Sequence, residues 1–77
     1  MSRYYFDIED GPASHKDEEG SELPDFDSAV NEARETLIQM GRDVFRNKTE
    51  GTLSVVIRDV RGNELHRLRL TLTTEGQ

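Results

Sequence analysis

The sequence predicts an α+β domain in two layers, one helix packed on an antiparallel sheet, with elements in the order β-β(-β)-α-β-β. Three observations carry this. Tyr4, Phe6 and Ile8 alternate with Tyr5, Asp7 and Glu9, the period of two of a half-buried strand. Phe26, Ala29, Val30, Ala33, Leu37, Met40 and Val44 then recur at three- and four-residue steps, the stripe of an amphipathic helix. Leu53, Val55 and Ile57, and later Leu68, Leu70 and Leu72, return to the period of two.

The first strand spans Arg3 to Glu9, and Asp10-Gly11-Pro12 closes it with a turn. Ala13 to Asp17 is a candidate for a short return strand. Asp17-Glu18-Glu19-Gly20 has the composition of a type I turn with glycine in a left-handed position. Ser21-Glu22-Leu23 is a brief extended piece, ended by Pro24, which has no N–H for a ladder.

Asp25 is placed to cap the helix, its carboxylate accepting orphan N–H groups of the first turn. Asp27 near the start and Arg42, Arg46 and Lys48 near the end complement the helix dipole. Asn47 is a candidate for the left-handed residue after the last turn. Ile38, Gly41 and Phe45 lie on the flank of the apolar stripe, a candidate contact for another protein. Gly41 in mid-helix is unfavourable by about 1 kcal/mol relative to alanine. The close approach of another backbone would account for it, as would a weak point near the helix end.

Thr52–Asp59 and Glu64–Thr73 form a second hairpin. For Leu53, Val55 and Ile57 to share a face with Leu68, Leu70 and Leu72, Ile57 must lie opposite His66 and Val55 opposite Leu68. That register leaves Val60-Arg61-Gly62-Asn63 as a four-residue loop. Arg58, Arg67 and Arg69 then share the opposite face with Val56. Leu65 falls on the wrong face. Tyr4, Phe6, Ile8, Val30, Ala33, Leu37, Val55, Ile57, Leu68 and Leu70 are expected to be buried together as the core.

Seventy-seven residues are room for one domain, with residues 74–77 expected to fray. A chain of this size buries only roughly 60% of the surface its unfolded form exposes, so a partner subunit would add useful burial. There is no cysteine, which excludes disulfides and thiolate metal sites and suits a reducing compartment. No apolar run approaches the roughly 20 residues of a membrane span, and the charged N-terminal stretch is unlike a signal peptide. A cytoplasmic location is expected. Sixteen acidic against ten basic residues leave a net charge of −6, which disfavours nucleic acid and anionic membranes as partners. Asp17, Glu18, Glu19, Glu22, Asp25 and Asp27 crowd one connecting region, a candidate acidic partner surface. Arg58, Arg67 and Arg69 form a candidate basic sheet face, which Asp7 and Glu9 would neutralise if the first strand adjoins.

Catalysis is poorly supplied. The histidines are His15 and His66, no serine sits in a nucleophile-elbow setting, and no glycine-rich loop opens a helix. Neither calcium-loop nor zinc spacing is present. No catalytic residue, metal or cofactor is expected.

The pattern Arg3, Tyr4-Tyr5-Phe6, Asp10-Gly11, Asp17 to Gly20 and Leu23-Pro24-Asp25, followed by Ala29 and Ala33, resembles a family of small uncharacterised bacterial proteins common in alphaproteobacteria. Val55 to Asp59, Gly62 and the Leu68–Leu72 alternation extend that resemblance over nearly the whole chain. It implies a domain of unknown function. A weaker likeness, through Tyr4 to Glu9, Leu23-Pro24-Asp25, Ala29, Ala33 and Leu37, is to HicB-type antitoxins, whose Pro-Gly-Cys-like element and DNA-binding tail are missing here. Together these readings point to a non-catalytic domain that works by protein–protein association, as a homo-oligomer. Two alternatives remain open at this point. One is antitoxin-type binding of a basic RNA-cleaving protein through the acidic region. The other is RNA binding through the arginine face.

Overall fold

A computed structural model describes residues 1–76. Of the tail expected to fray, Gln77 lies outside the described residues, and residues 74–76 carry no regular secondary structure. The elements are β1 (Ser2–Asp10), β2 (Ala13–His15), β3 (Ser21–Leu23), α1 (Phe26–Val44), β4 (Gly51–Arg58) and β5 (Glu64–Leu72). One helix lies on one face of an antiparallel five-stranded sheet. The expected α+β order is what the chain adopts.

The strands run β2-β1-β4-β5, with β3 also on β1. β2 pairs with the end of β1, at Ile8, Glu9 and Asp10, while β3 pairs with its beginning, at Ser2, Arg3 and Tyr4. The outer edge of β1 is thus covered by two short strands with a gap between them. Its other edge meets β4, where Phe6 faces Ile57 and Ile8 faces Val55.

The core sits between α1 and β4. Leu53, Val55 and Ile57 are fully buried, and so are Ala29 and Ala33 on the helix. Two alanines on the contact face let the helix backbone come close to the sheet. Tyr4 and Leu37 complete the buried cluster. Phe6, Ile8, Val30, Leu68 and Leu70, expected in the core, pack against it but stay half-buried. The reason is width: one helix cannot cover four strands abreast, so the inner faces of β1 and β5 are only partly shielded.

The helix begins as expected, with the Asp25 carboxylate accepting the Ser28 N–H at 2.8 Å. It ends differently. Val44 is its last residue, and Phe45 caps it with its N–H on the Gly41 carbonyl at 3.0 Å. Asn47 is not left-handed, because no non-glycine residue described has a positive φ. The chain instead leaves through a further turn, from the Lys48 N–H to the Phe45 carbonyl at 3.1 Å. Gly41 is explained by a side chain rather than a backbone. A Cβ built there would lie 2.7 Å from Leu70 Cδ2.

In the second hairpin Ile57 faces His66 and Val55 faces Leu68, as the alternation requires. The register then shifts, so that Arg58 faces Glu64 and Leu65 is the extra residue of a bulge. The misfit of Leu65 is resolved by that bulge. It also shortens the loop from the expected four residues. The Asp59 N–H reaches the Asn63 carbonyl at 3.0 Å, leaving Val60, Arg61 and Gly62 between them. Gly62 takes the left-handed position that three-residue hairpin loops favour, at φ +89°.

Candidate functional site: the outer sheet face and the β5 edge

The sheet face away from the helix is polar, and its chemistry begins with the adjacency of β1 and β4. Their register sets Tyr5 beside Arg58. The Arg58 guanidinium grips Asp7 through two bonds, Nε to Oδ2 at 2.5 Å and Nη2 to Oδ1 at 3.0 Å. Nη2 also donates to the Asp17 carbonyl at 3.0 Å, and the guanidinium carbon stands 5.1 Å from the centre of the Tyr5 ring. Both side chains of the pair are only 15% exposed. Burial pushes the Asp7 carboxyl up, but the Arg58 guanidinium and the Asp17 N–H together outweigh it and hold Asp7 below its ordinary range. The bond to Asp7 holds Arg58 above its usual value.

Asp17 sits at the gap in the outer edge of β1. Its Oδ2 accepts the Phe6 N–H at 3.1 Å, and its Oδ1 accepts the N–H groups of Glu19 and Gly20 at 3.2 and 3.0 Å. Its own N–H donates to Asp7 Oδ1 at 2.9 Å. Burial again acts upward on this carboxyl. The N–H groups of Gly20, Phe6 and Glu19 reverse it and hold Asp17 below its usual value. Gly20 is left-handed at φ +72°, and a Cβ there would lie 2.9 Å from the Tyr5 ring and 3.0 Å from the Tyr4 carbonyl. Tyr5, Asp7, Asp17, Gly20 and Arg58 therefore form one structural knot. Their bonds direct the path of the chain around β1.

The expected acidic surface is divided by this arrangement. Asp17 faces inward to backbone N–H groups, Asp25 caps the helix, and Glu22 lies 3.5 Å from Arg3. Glu18, Glu19 and Asp27 remain as exposed carboxylates with no ion pair among the described residues.

The expected basic face is real as a face, since Arg58, Arg67 and Arg69 all lie on it. It is not a bare cationic surface. Arg67 on β5 reaches across β4 to Glu9 on β1, Nη1 to Oε1 at 2.5 Å, and also meets Glu64 at 3.2 Å. Both bonds raise the Arg67 pKa, that to Glu9 first. The Arg67–Glu9 pair spans β4, whose Val56 and Ser54 are each only 4% exposed, while the Arg58–Asp7 pair ties β4 to β1. Arg69 has no acidic partner among the described residues. It lines a shallow depression of about 380 Å³ with Glu9, Thr52, Ser54 and Thr71.

The helix flank is also rearranged. Ile38 is 42% exposed, as a contact residue would be. Gly41 is buried against Leu70, and the half-buried Phe45 ring packs over Gly51, with 3.0 Å to the place of a Cβ. Phe45 thus turns off the exposed flank and onto the sheet. His66 is exposed and stands edge-on to the Phe26 ring at 5.7 Å, and His15 is exposed on β2. Among the described residues no three His, Asp or Glu side chains converge as a metal-ligand set. No helix described is long and apolar enough to cross a membrane.

The edges of the sheet differ. One is covered by β2, β3 and the Asp17 carboxylate. The other is β5, nine residues long with no strand beyond it among the described residues. The alternation of β5 was legible in the sequence, but its position at an edge was not, because strand order depends on which distant segments pair.

No match was found among curated proteins or among solved structures. The model of one family, described as a domain of unknown function (DUF6894), matches residues 3–71, from β1 into β5. The chain belongs to the DUF6894 family.

Proposed function

We propose that this domain acts by association with a second copy of itself, and not by catalysis. The observation that carries the reading is the β5 edge, a nine-residue strand whose alternate N–H and C=O groups turn outward, opposite an edge that the fold closes with short strands and a carboxylate. Unpaired edges of this length are templates for another strand. Exposed Ile38 and half-buried Leu68, Leu70 and Leu72 add apolar surface that a partner would cover. The absence of cysteine suits a reducing setting, and we place the association in the bacterial cytoplasm.

The other readings are weaker. RNA binding would need free arginines, and Arg58 and Arg67 are held by Asp7, Glu9 and Glu64. Antitoxin-type binding would need a concentrated acidic surface, and Asp17 and Asp25 are spent on backbone N–H groups.

Sedimentation equilibrium at up to about 100 μM tests the proposal, since mass action drives a weak dimer together at high concentration. A dimer mass supports it, and a strictly monomeric mass refutes it.

A further inference from the structure

Resting on that reading, we propose that β5 pairs antiparallel with the β5 of the second copy in a register centred on Leu70. Leu68 then faces the partner's Leu72, Leu70 faces the partner's Leu70, and Arg69 faces the partner's Thr71.

The charge pattern of the strand selects this register. A two-fold axis perpendicular to the sheet keeps both helices on one side, and it opposes residues whose numbers sum to twice that of the central residue. Inner-face leucines then meet leucines, and outer-face residues meet outer-face residues. Like charges directly opposite each other destabilise a ladder. Centring on Leu68 would set Arg67 against the partner's Arg69, twice. Centring on Arg67 or Arg69 would set that arginine against its own copy. Centring on Leu70 opposes each arginine to a threonine, Arg69 to the partner's Thr71 and Arg67 to the partner's Thr73. It still pairs residues 68–72 of β5 in each copy. Centring on Thr71 also separates the arginines, but β5 stops at Leu72 and little of the strand is left to pair. Centring on His66 pairs as many residues and opposes no arginines, but it runs through the bulge at Leu65, so the Leu70 register is the one that keeps the arginines apart along regular strand.

The apolar side of the molecule fits the same choice. Gly41 packs on Leu70, so this side of the helix faces β5. Ile38, one turn earlier on that side, is exposed. A partner strand would bring its leucines beneath Ile38 and cover the half-buried Leu68, Leu70 and Leu72 together.

The chain has no cysteine, so single-cysteine variants report the register cleanly. Arg69→Cys and Thr71→Cys change exposed side chains and leave the core untouched. Directly opposed residues have Cα atoms roughly 4.5–5.5 Å apart, within reach of a disulfide. Mixing the two variants under mild oxidation is expected to give chiefly the mixed 69–71 cross-link, with little product from either variant alone. Self-cross-linking of Arg69→Cys as the main product would move the centre to Arg69 and overturn the register. Self-cross-linking of Thr71→Cys would do the same for Thr71. Thr71→Arg is expected to weaken the dimer at least tenfold by facing the partner's Arg69, and adding Arg69→Glu should restore it. A dimer mass without the mixed cross-link rejects the register and leaves self-association standing. A monomer mass for the unmodified chain rejects both.

Discussion

The Asp17 carboxylate stands in for a missing strand beside Phe6. Neither β2 nor β3 reaches Phe6 on the outer edge of β1, and Asp17 Oδ2 accepts its N–H there at 3.1 Å. A half-buried backbone donor without a partner would otherwise destabilise the sheet. The same carboxylate orders the turn at Glu19 and Gly20, so one side chain both closes an edge and shapes the loop that leaves it.

Asp17→Ala should therefore cost more than a surface change. It leaves the N–H groups of Phe6, Glu19 and Gly20 without their acceptor. A loss of about 1–3 kcal/mol is expected. Urea unfolding measures it, and a loss below about 0.5 kcal/mol, typical of ordinary surface positions, would contradict the role.

Acid should unfold the protein through the same knot. Asp7 and Asp17 are held below their ordinary value near 3.8 in the folded state. The unfolded chain therefore binds more protons in acid. Their contribution is complete above the unfolded pKa, near 4, and is lost as pH falls through the lower folded values. Urea midpoints should fall steeply below about pH 4. Asp17→Asn should flatten that fall, and an unchanged slope in the variant would count against it.

Gly20→Ala and Gly62→Ala separate two kinds of cost. Both positions are left-handed, at φ +72° and +89°. A Cβ at Gly62 meets nothing within 4 Å, whereas one at Gly20 collides with Tyr5 and the Tyr4 carbonyl. Gly62→Ala should cost about 1 kcal/mol of backbone strain, and Gly20→Ala clearly more. Equal losses by thermal or urea unfolding would show that the packing at Gly20 is unimportant.

Adjacent helix residues should behave in opposite ways. Leu37 is 6% exposed within the core and Ile38 is 42% exposed. Leu37→Ala should cost about 2–5 kcal/mol, enough to unfold a small domain. Ile38→Ala, measured at low concentration, should stay within about 0.5 kcal/mol. A small effect at Leu37 would displace it from the core.

Much of the fold follows from patterns carried along single segments. The alternation of Tyr4, Phe6 and Ile8, the helical stripe from Phe26 to Val44 and the Asp25 cap depend on neighbours a few residues away. Even the pairing of Ile57 with His66 follows, because a short loop joins two runs whose leucines and valines must share a face. The presence of arginines and acids on the outer face was equally legible. What the sequence left open was which of them meet. Once β1 lies beside β4, Asp7 is brought to Arg58 and Glu9 to Arg67, and a basic face becomes a neutral one. The inward turn of Asp17, the packing of Phe45 on Gly51, the bulge at Leu65 and the open edge of β5 belong to the same class. Each depends on contacts between segments far apart in the chain. Such contacts are decided by the joint geometry of the sheet and helix rather than by the period of any one strand.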